Sequence, residues 1–452
     1  MNADPVQYTI DQLYKTHYGK IVSALCTLWQ EIPLESVEDA VQDAFTTALT
    51  VWARPAINSD PLIAAGSGIP SNPPGWIYTV ARNRLISLIR AEKRRWSSLD
   101  LHTETLSGPA SSAGSATSDF PGFGPNTPDF SGSIFHDQQL KLLFACAHPD
   151  LSPKVQIVIT LKYVSNLKID AIARALGMTG DGVDKLLLRA RKKIRDERLF
   201  LLDPGSPSGL GARLPTVHKI IYLTFNEGYK PSSGDAAINE SLCEEALLLC
   251  KDLLDHRLGD NATMALYALM LFNAARFKGR TSPTGELLDL DEQDRSQWHR
   301  PMISLAGDFL RLSRPGPLTS YHYEAAIAWL HCSADSFANT NWRLISRLYL
   351  RLLRLNPNPF VELNYAIALY YAGDRNKSFQ IMHQLIKHSF MNGYYLLNAA
   401  LGKLYLLDGD IPNAKKYLER TLDQTEHPLE TAFIRRLLSR LPPASDHRGA
   451  AN

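Results

Sequence analysis

Apolar positions recur at helical spacing along most of the chain, and the breaks between them divide it into blocks. Tyr8–Leu28 places Leu13, Tyr14, Tyr18, Ile21, Val22 and Leu25 at helical spacings, and Pro33 ends the run. Leu34–Ala53 follows, with Val37, Val41, Ala44, Phe45, Ala48 and Leu49 on one face. Residues 54–75 hold five prolines among Gly, Ser and Asn and read as a loop. A helix then opens at Trp76 and runs to Trp96, with Ile77, Val80, Ala81, Leu85, Leu88 and Ile89 inward. Residues 97–133 are rich in Ser, Gly, Thr, Pro and Asp with almost no aliphatic period, the composition of a flexible linker. Helices resume over Phe135–Cys146 and Ser152–Val164, the second with Ser152 as its cap and Pro153 at its first position.

Leu167–Arg195 has the clearest local pattern. Ile169, Ile172, Ala173 and Leu176 mark a short helix, Gly177 breaks it, and Thr179 or Asp181 can cap a second helix. Val183, Leu186, Leu187 and Ala190 give that helix an apolar face, while Lys185, Arg189, Arg191, Lys192, Lys193 and Arg195 make it cationic. Two short helices around a Gly-bearing turn form a helix-turn-helix pattern, whose second helix fits the DNA major groove. An ordinary helical hairpin with a solvated basic face has the same pattern.

Asp203–Gly211 is a boundary, and beyond it charge is less concentrated. Aliphatic runs at 242–254 and 262–277, and segments near 298–312, 321–333 and 341–355, read as helices. Tyr365-Ala366 with Gly373-Asp374 recurs 36 residues later as Leu401-Gly402 with Gly409-Asp410. Leu401, Gly402, Tyr405, Ala414 and Leu418 match the positions of a tetratricopeptide repeat, and Ser378 departs from it where Ala is preferred. A helical-repeat array with an interaction groove follows. The expected fold class is all-α.

Composition adds limits. Apolar content of 45% and charged content of 21% are those of a globular protein, and no stretch reaches the length of a membrane span. Net charge is only +2, so any nucleic-acid affinity must be local. The five cysteines form no CxxC pair, Cys146-Ala147-His148 is too short for a zinc site, and no signal peptide is visible, so a reduced cytoplasmic chain is expected.

Three features carry candidate chemistry. Glu35, Glu38, Asp39, Gln42 and Asp43 form an acidic side on the second helix, either a solvated face favoured by the helix dipole or a dock for a basic partner. Around Trp76, Tyr78 and Trp96, the residues Arg82, Arg84, Arg90, Lys93, Arg94 and Arg95 oppose a single Glu92. Cations neutralise phosphates while aromatic faces stack on unpaired bases, although a basic helix end also complements the dipole by itself. Asn226-Glu227-Gly228-Tyr229 and Asp291–Arg295 contain carboxylates, but no nucleophile–base–orienter set, His-Glu metal motif or phosphate-cradling loop accompanies them. No catalytic residue, metal or cofactor is expected.

In this order the modules resemble an extracytoplasmic-function sigma factor, the promoter-reading subunit of bacterial RNA polymerase. Glu38–Phe45 and Trp76–Arg84 resemble region 2; Ala147–Pro153, Ile172-Ala173 and Leu188–Arg195 resemble region 4. Ile221–Tyr229 and Asp291–Ser296 resemble the tetratricopeptide-like extension of one subgroup. The resemblance implies region 2 over 8–96, a linker over 97–133, region 4 over 134–200 and a helical extension over 205–441. Glu38, Asp39, Gln42 and Asp43 would dock on the polymerase β′ clamp, with the β flap as a further partner. Trp76, Arg82, Asn83, Arg84, Arg90, Lys93, Arg94 and Arg95 would hold melted −10 DNA, with a flipped base near Asn83. Thr179, Asp184, Lys185, Arg189, Arg191 and Lys192 would read the −35 duplex. The extension would act as regulator, with a regulatory protein as its partner.

Two departures stand out. The loop 54–75 is longer than the family's usual connection, and it helps choose the −10 base there. Asp181 and Asp184 sit at the front of the reading helix, where a carboxylate repels phosphate but can accept from cytosine N4. The dipole accounts for Asp181 and leaves Asp184 open. A helix-turn-helix regulator that never joins polymerase, and a helical scaffold with merely solvated basic segments, are the competing classes.

Overall fold

The protein is described by a computed structural model covering residues 5–28, 32–53, 68–100, 133–197, 199, 207–232, 236–425 and 427–442. The side chains of 92–100, 133–137, 207 and 208 lie outside the described set, as do most of the loop 54–75 and the linker 97–133. All regular structure among the described residues is helical, apart from one isolated antiparallel bridge between Thr281 and Leu287. The chain divides into two compact units, Met1–Ile220 and Ile221–Asn452.

The first unit contains α1 (Pro5–Leu28), α2 (Leu34–Val51), α3 (Pro73–Asp100), α4 (Ser133–Cys146), α5 (Pro153–Tyr163), α6 (Ile169–Leu176) and α7 (Gly180–Asp196). The helix α8 (Pro207–Tyr229) carries the chain across the division. Helices α1, α2 and α3 pack on one another through the stripes expected from the sequence: Tyr18, Ile21, Leu25, Val37, Val41, Ala44, Ile77 and Leu85 are all buried. The third helix starts three residues before Trp76, because Asn72 Oδ1 accepts from the Gly75 N–H at 3.0 Å and ties down its first turn. Ser152 sits at the N-cap of α5 but makes no side-chain cap bond; Pro153 at the first position sets the helical φ instead. Helix α1 also packs on α4 and α5. A Cβ at Gly19 would lie 2.1 Å from the Val164 carbonyl oxygen, so only glycine lets α1 approach the end of α5 this closely.

The second unit continues with α9 (Glu240–Asp255), α10 (Asn261–Ala274), α11 (Arg300–Leu312), α12 (Ser320–Ser333), α13 (Trp342–Leu355) and α14 (Pro359–Tyr371). It ends with α15 (Arg375–Ile386), the short α16 (Ser389–Asn392), α17 (Tyr395–Leu407), α18 (Ile411–Leu422) and α19 (Pro428–Ser439). The 36-residue repeat is a pair of antiparallel-type helix hairpins, α14 with α15 and α17 with α18. Each turns at a Gly-Asp pair whose aspartate caps the second helix: Asp374 accepts from Lys377 N at 3.4 Å and Asp410 from Asn413 N at 3.1 Å. Ser378, the residue that departs from the repeat, is fully buried in the place of the expected alanine.

Candidate nucleic-acid interface

Helices α6 and α7 form the hairpin that the sequence pattern required. Gly177 ends α6 in the left-handed conformation at φ 61°, and Thr179 caps α7 by accepting from the Gly182 N–H at 3.2 Å. Asp181 lies in the first turn, favourable to the dipole. Val183, Leu187 and Ala190 form the buried stripe of α7. Lys185, Arg189 and Lys192 lie two residues further on in each case, which is roughly 200° around a helix of 3.6 residues per turn. They are exposed, as are Thr179 and Asp184, so packing and cationic surface occupy opposite sides of one helix.

Arg191 is placed differently. Its Nε donates to the Tyr163 hydroxyl at 2.7 Å, and its Nη2 lies 3.0 Å from Glu38 Oε2. Glu38 itself is buried at 6% exposure, while its neighbours on the acidic face, Asp39, Gln42 and Asp43, are exposed. Lys162 of α5 approaches the other carboxylate oxygen at 3.0 Å, and Gln42 Nε2 donates to that same oxygen at 3.3 Å. A carboxylate taken from water needs charged partners, and Glu38 has two. Burial raises the Tyr163 phenol, Glu38 adds to the rise and Arg191 opposes it. Tyr163 is therefore a neutral donor–acceptor in the network. Arg195 with Glu35 at 3.4 Å, and Asn166 Nδ2 donating to the Tyr14 carbonyl at 3.3 Å, extend the same interface. The structure thus brings together Glu38 and Arg191, two residues the resemblance assigns to different partners. Lys162 and Tyr163, which complete the cluster, were missed. Helical phase was the available signal: Glu38 lies three and seven residues before the buried Val41 and Phe45.

On the basic third helix, Arg82, Arg84 and Arg90 are exposed and Asn83 is half-buried. Trp76 is half-buried and packs edge-on against Trp52, with ring centroids 5.4 Å apart. Arg84 Nε pairs with Asp43 at 3.3 Å, and Asp39, Gln42, Asp43, Arg84 and Leu88 line one open depression between α2 and α3. The side chains of Lys93, Arg94 and Arg95 lie outside the described residues.

The carboxylates of the second unit are structural links. Glu227 Oε1 accepts from the Ser232 N–H at 2.8 Å and from its hydroxyl at 2.7 Å, closing the end of α8. Asp294 caps a helical turn at Ser296, and Arg295 donates to the carbonyls of His331 at 2.6 Å and Ala334 at 2.7 Å. Glu292 pairs with Arg436 at 2.8 Å and Arg440 at 2.6 Å. Asp291 and Asp289 both hold Lys403. No group of three or more His, Cys, Asp or Glu among the described residues is placed to hold a metal, and no described helix is long and apolar enough to cross a membrane.

Comparison with known proteins agrees with this geometry. Residues 141–194, from α4 to α7, match the family model for sigma-70, region 4. Residues 213–314 match a family of unknown function, DUF6596. The uncharacterized protein R00370 of Rhizobium meliloti (strain 1021) is 30% identical over 412 residues, covering 90% of each chain. No solved structure matches the chain.

Proposed function

The chain belongs to one family with R00370 and carries a sigma-70 region 4 domain, a DNA-binding element of transcription initiation, and from that premise we propose that it is a promoter-reading sigma factor of the extracytoplasmic-function type. The observation that carries this reading is the region 4 match on a hairpin whose second helix presents Lys185, Arg189 and Lys192 opposite its packing face. In this reading α7 anchors on the −35 duplex chiefly through those three cations, since phosphate contacts supply most non-specific affinity. Thr179 and Asp184 at its front meet the base edges. Asp39, Gln42 and Asp43 dock on the polymerase clamp, and α3 holds melted −10 DNA through Arg82, Asn83, Arg84, Arg90 and the basic residues beyond. The tetratricopeptide-like hairpins of the second unit serve regulation through a partner. The chemistry is the polymerase's; this chain positions it.

The reading has a geometric consequence. Elements at −10 and −35 are about 25 base pairs apart, roughly 85 Å of duplex at 3.4 Å per base pair. A first unit closed by the Glu38–Arg191 contact cannot touch both, so promoter engagement breaks that contact and releases Arg191 to the DNA.

Transcription with purified core polymerase, the chain and a promoter library tests the reading. Initiation from discrete start sites is expected only when the chain is present. Sequence-specific DNA binding without a core complex would instead make it a free-standing regulator. Neither initiation nor DNA binding leaves only the scaffold.

A further inference from the structure

The second unit contains a cavity of about 320 Å³ between α13, α14, α17 and α19, with the Asp289–Asp291 segment also in its lining. That volume is at the lower end of the range for small-molecule sites. Its walls are aromatic and aliphatic. Trp342 and Tyr371 stack at 4.7 Å and 30° along one side, and Phe360 and Tyr394 meet edge-on at 5.0 Å along another. Its charged lining residues are Asp289, Asp291 and Lys403, which form one cluster. Lys403 Nζ lies 2.7 Å from Asp289 Oδ2 and 2.8 Å from Asp291 Oδ1, and only 19% of the lysine side chain is exposed.

Charge decides what fits. Burial alone would lower the Lys403 ammonium, but Asp289 foremost, with Tyr371 and Asp291 adding, overrides it and holds it above the ordinary lysine value. One cation is thus fixed between two carboxylates, and the cluster keeps one negative charge in excess. The neighbouring pairs do not cancel it, because Glu286 and Glu292 are matched by Arg436 and Arg440. Asp289 and Asp291 keep 37% and 31% of their side chains exposed, so a ligand can reach them. Lys403 also fixes their orientation, which reduces the ordering cost of binding. The same carboxylates act on the aromatic wall: burial raises the Tyr371 phenol, Lys403 opposes the rise, and Asp291 and Asp289 add to it. Aromatic faces favour a cation, and a net carboxylate charge beside them favours it further.

We propose that this cavity binds a small organic cation, an amine or quaternary ammonium carried on a flat apolar body. The body lies among Trp342, Tyr371, Phe360 and Tyr394 while the charged group meets Asp289 and Asp291. An anion of the same shape is rejected by the carboxylates, and a neutral analogue gains only the apolar part. The inference does not depend on the promoter-reading function, since it concerns a cavity in the other unit.

Calorimetric titration of the full chain tests it with four probes: benzyltrimethylammonium, phenethylamine, 2-phenylethanol and phenylacetate. Saturable one-to-one binding of both cations is expected, at least tenfold tighter than the alcohol, with no binding of phenylacetate. Asp291→Asn should weaken both cations at least fivefold and leave the alcohol unchanged. Equal affinity for cations and alcohol, no saturable binding of either cation, or indifference to Asp291→Asn in a variant that melts like the parent would each overturn the proposal. If Asp291→Asn does not fold, the four probes on the unaltered chain decide alone. An oligoarginine peptide that binds more tightly than either amine and is not displaced by them would overturn it as well, assigning the surface to a protein partner.

Discussion

Each unit contains an ionic cluster in which one central charge is held by two of the opposite sign, and the two clusters are electrostatic mirror images. In the first, a single carboxylate, Glu38, is held by two cations, Lys162 and Arg191. In the second, a single cation, Lys403, is held by two carboxylates, Asp289 and Asp291. Both join segments more than 100 residues apart in sequence. Each uses its central residue to hold two like charges together, and each leaves one charge of the outer sign. The surplus is positive in the unit with the DNA-binding hairpin and negative in the unit with the aromatic cavity. In both cases the surplus has the sign opposite to the ligand proposed for that unit.

Removing the central residue tests whether the clusters are equivalent, and the effects should differ. Glu38→Ala leaves two mostly buried cations without their carboxylate, and a loss of about 3 kcal/mol in urea unfolding of the first unit is expected. Lys403→Ala leaves two carboxylates that remain about a third exposed to water, so about 1 kcal/mol is expected in the second unit. A larger loss at Lys403 than at Glu38 would break the comparison. Freed from Glu38, Arg191 and Lys162 add to the cationic surface, and affinity for a −35 duplex should rise several-fold in an anisotropy assay at fixed salt. Arg189→Ala with Lys192→Ala should act in the opposite sense, weakening the same duplex roughly tenfold or more and reducing the salt slope by about 2. Unchanged slope would remove the outward stripe of α7 from the DNA interface.

Acid bears on both units through two half-buried histidines, His17 and His331. Burial, with Lys20 adding, lowers His17 in the first unit to about 4. Burial, with Arg276 and Arg295 adding, lowers His331 in the second to about 3. Each imidazole is neutral when folded and takes up a proton near pH 6.5 when unfolded. The unfolded state therefore binds more protons below pH 6.5, and stability falls with falling pH by at most about 1.4 kcal/mol per unit for each group. The loss ends near pH 4 for the first unit and near pH 3 for the second. Urea melts at pH 7, 5 and 3.5 with a probe in each unit should show both declining from 7 to 5. A flat response over that interval would show that these imidazoles are not held neutral in the folded chain. The smallest effect belongs to the α7 cap: Thr179→Ala should cost about 1 kcal/mol, visible as a lower melting temperature of the first unit.

Helix existence was readable wherever the apolar period was long. The stripe Val37, Val41, Ala44 and Ala48 predicted α2 and is its buried face, and the Gly-Asp pairs 36 residues apart marked two capped hairpins. Helix ends were less readable, because they depend on local bonds such as Asn72 to Gly75 rather than on periodicity. The candidate site was readable as a list of charges but not as an arrangement. Glu38 and Asp39 are adjacent in sequence, yet one is buried and the other exposed, since successive helical residues differ by about 100° in direction. Arg189 and Arg191 diverge for the same reason, one outward and one onto Tyr163. Trp76 has the chemistry of a base-stacking residue, and its half-buried ring also packs edge-on against Trp52, just beyond the end of α2.

The all-helical class, the capped hairpin at Leu167–Arg195 and its cationic second helix were legible in the sequence. These follow from periodicity and turn chemistry, which act over a few residues. Only the tertiary structure decided which charges remain available to a ligand. A charge is used up by a partner brought from 112 to 153 residues away, as for Lys403 and Glu38, and no local pattern encodes that meeting.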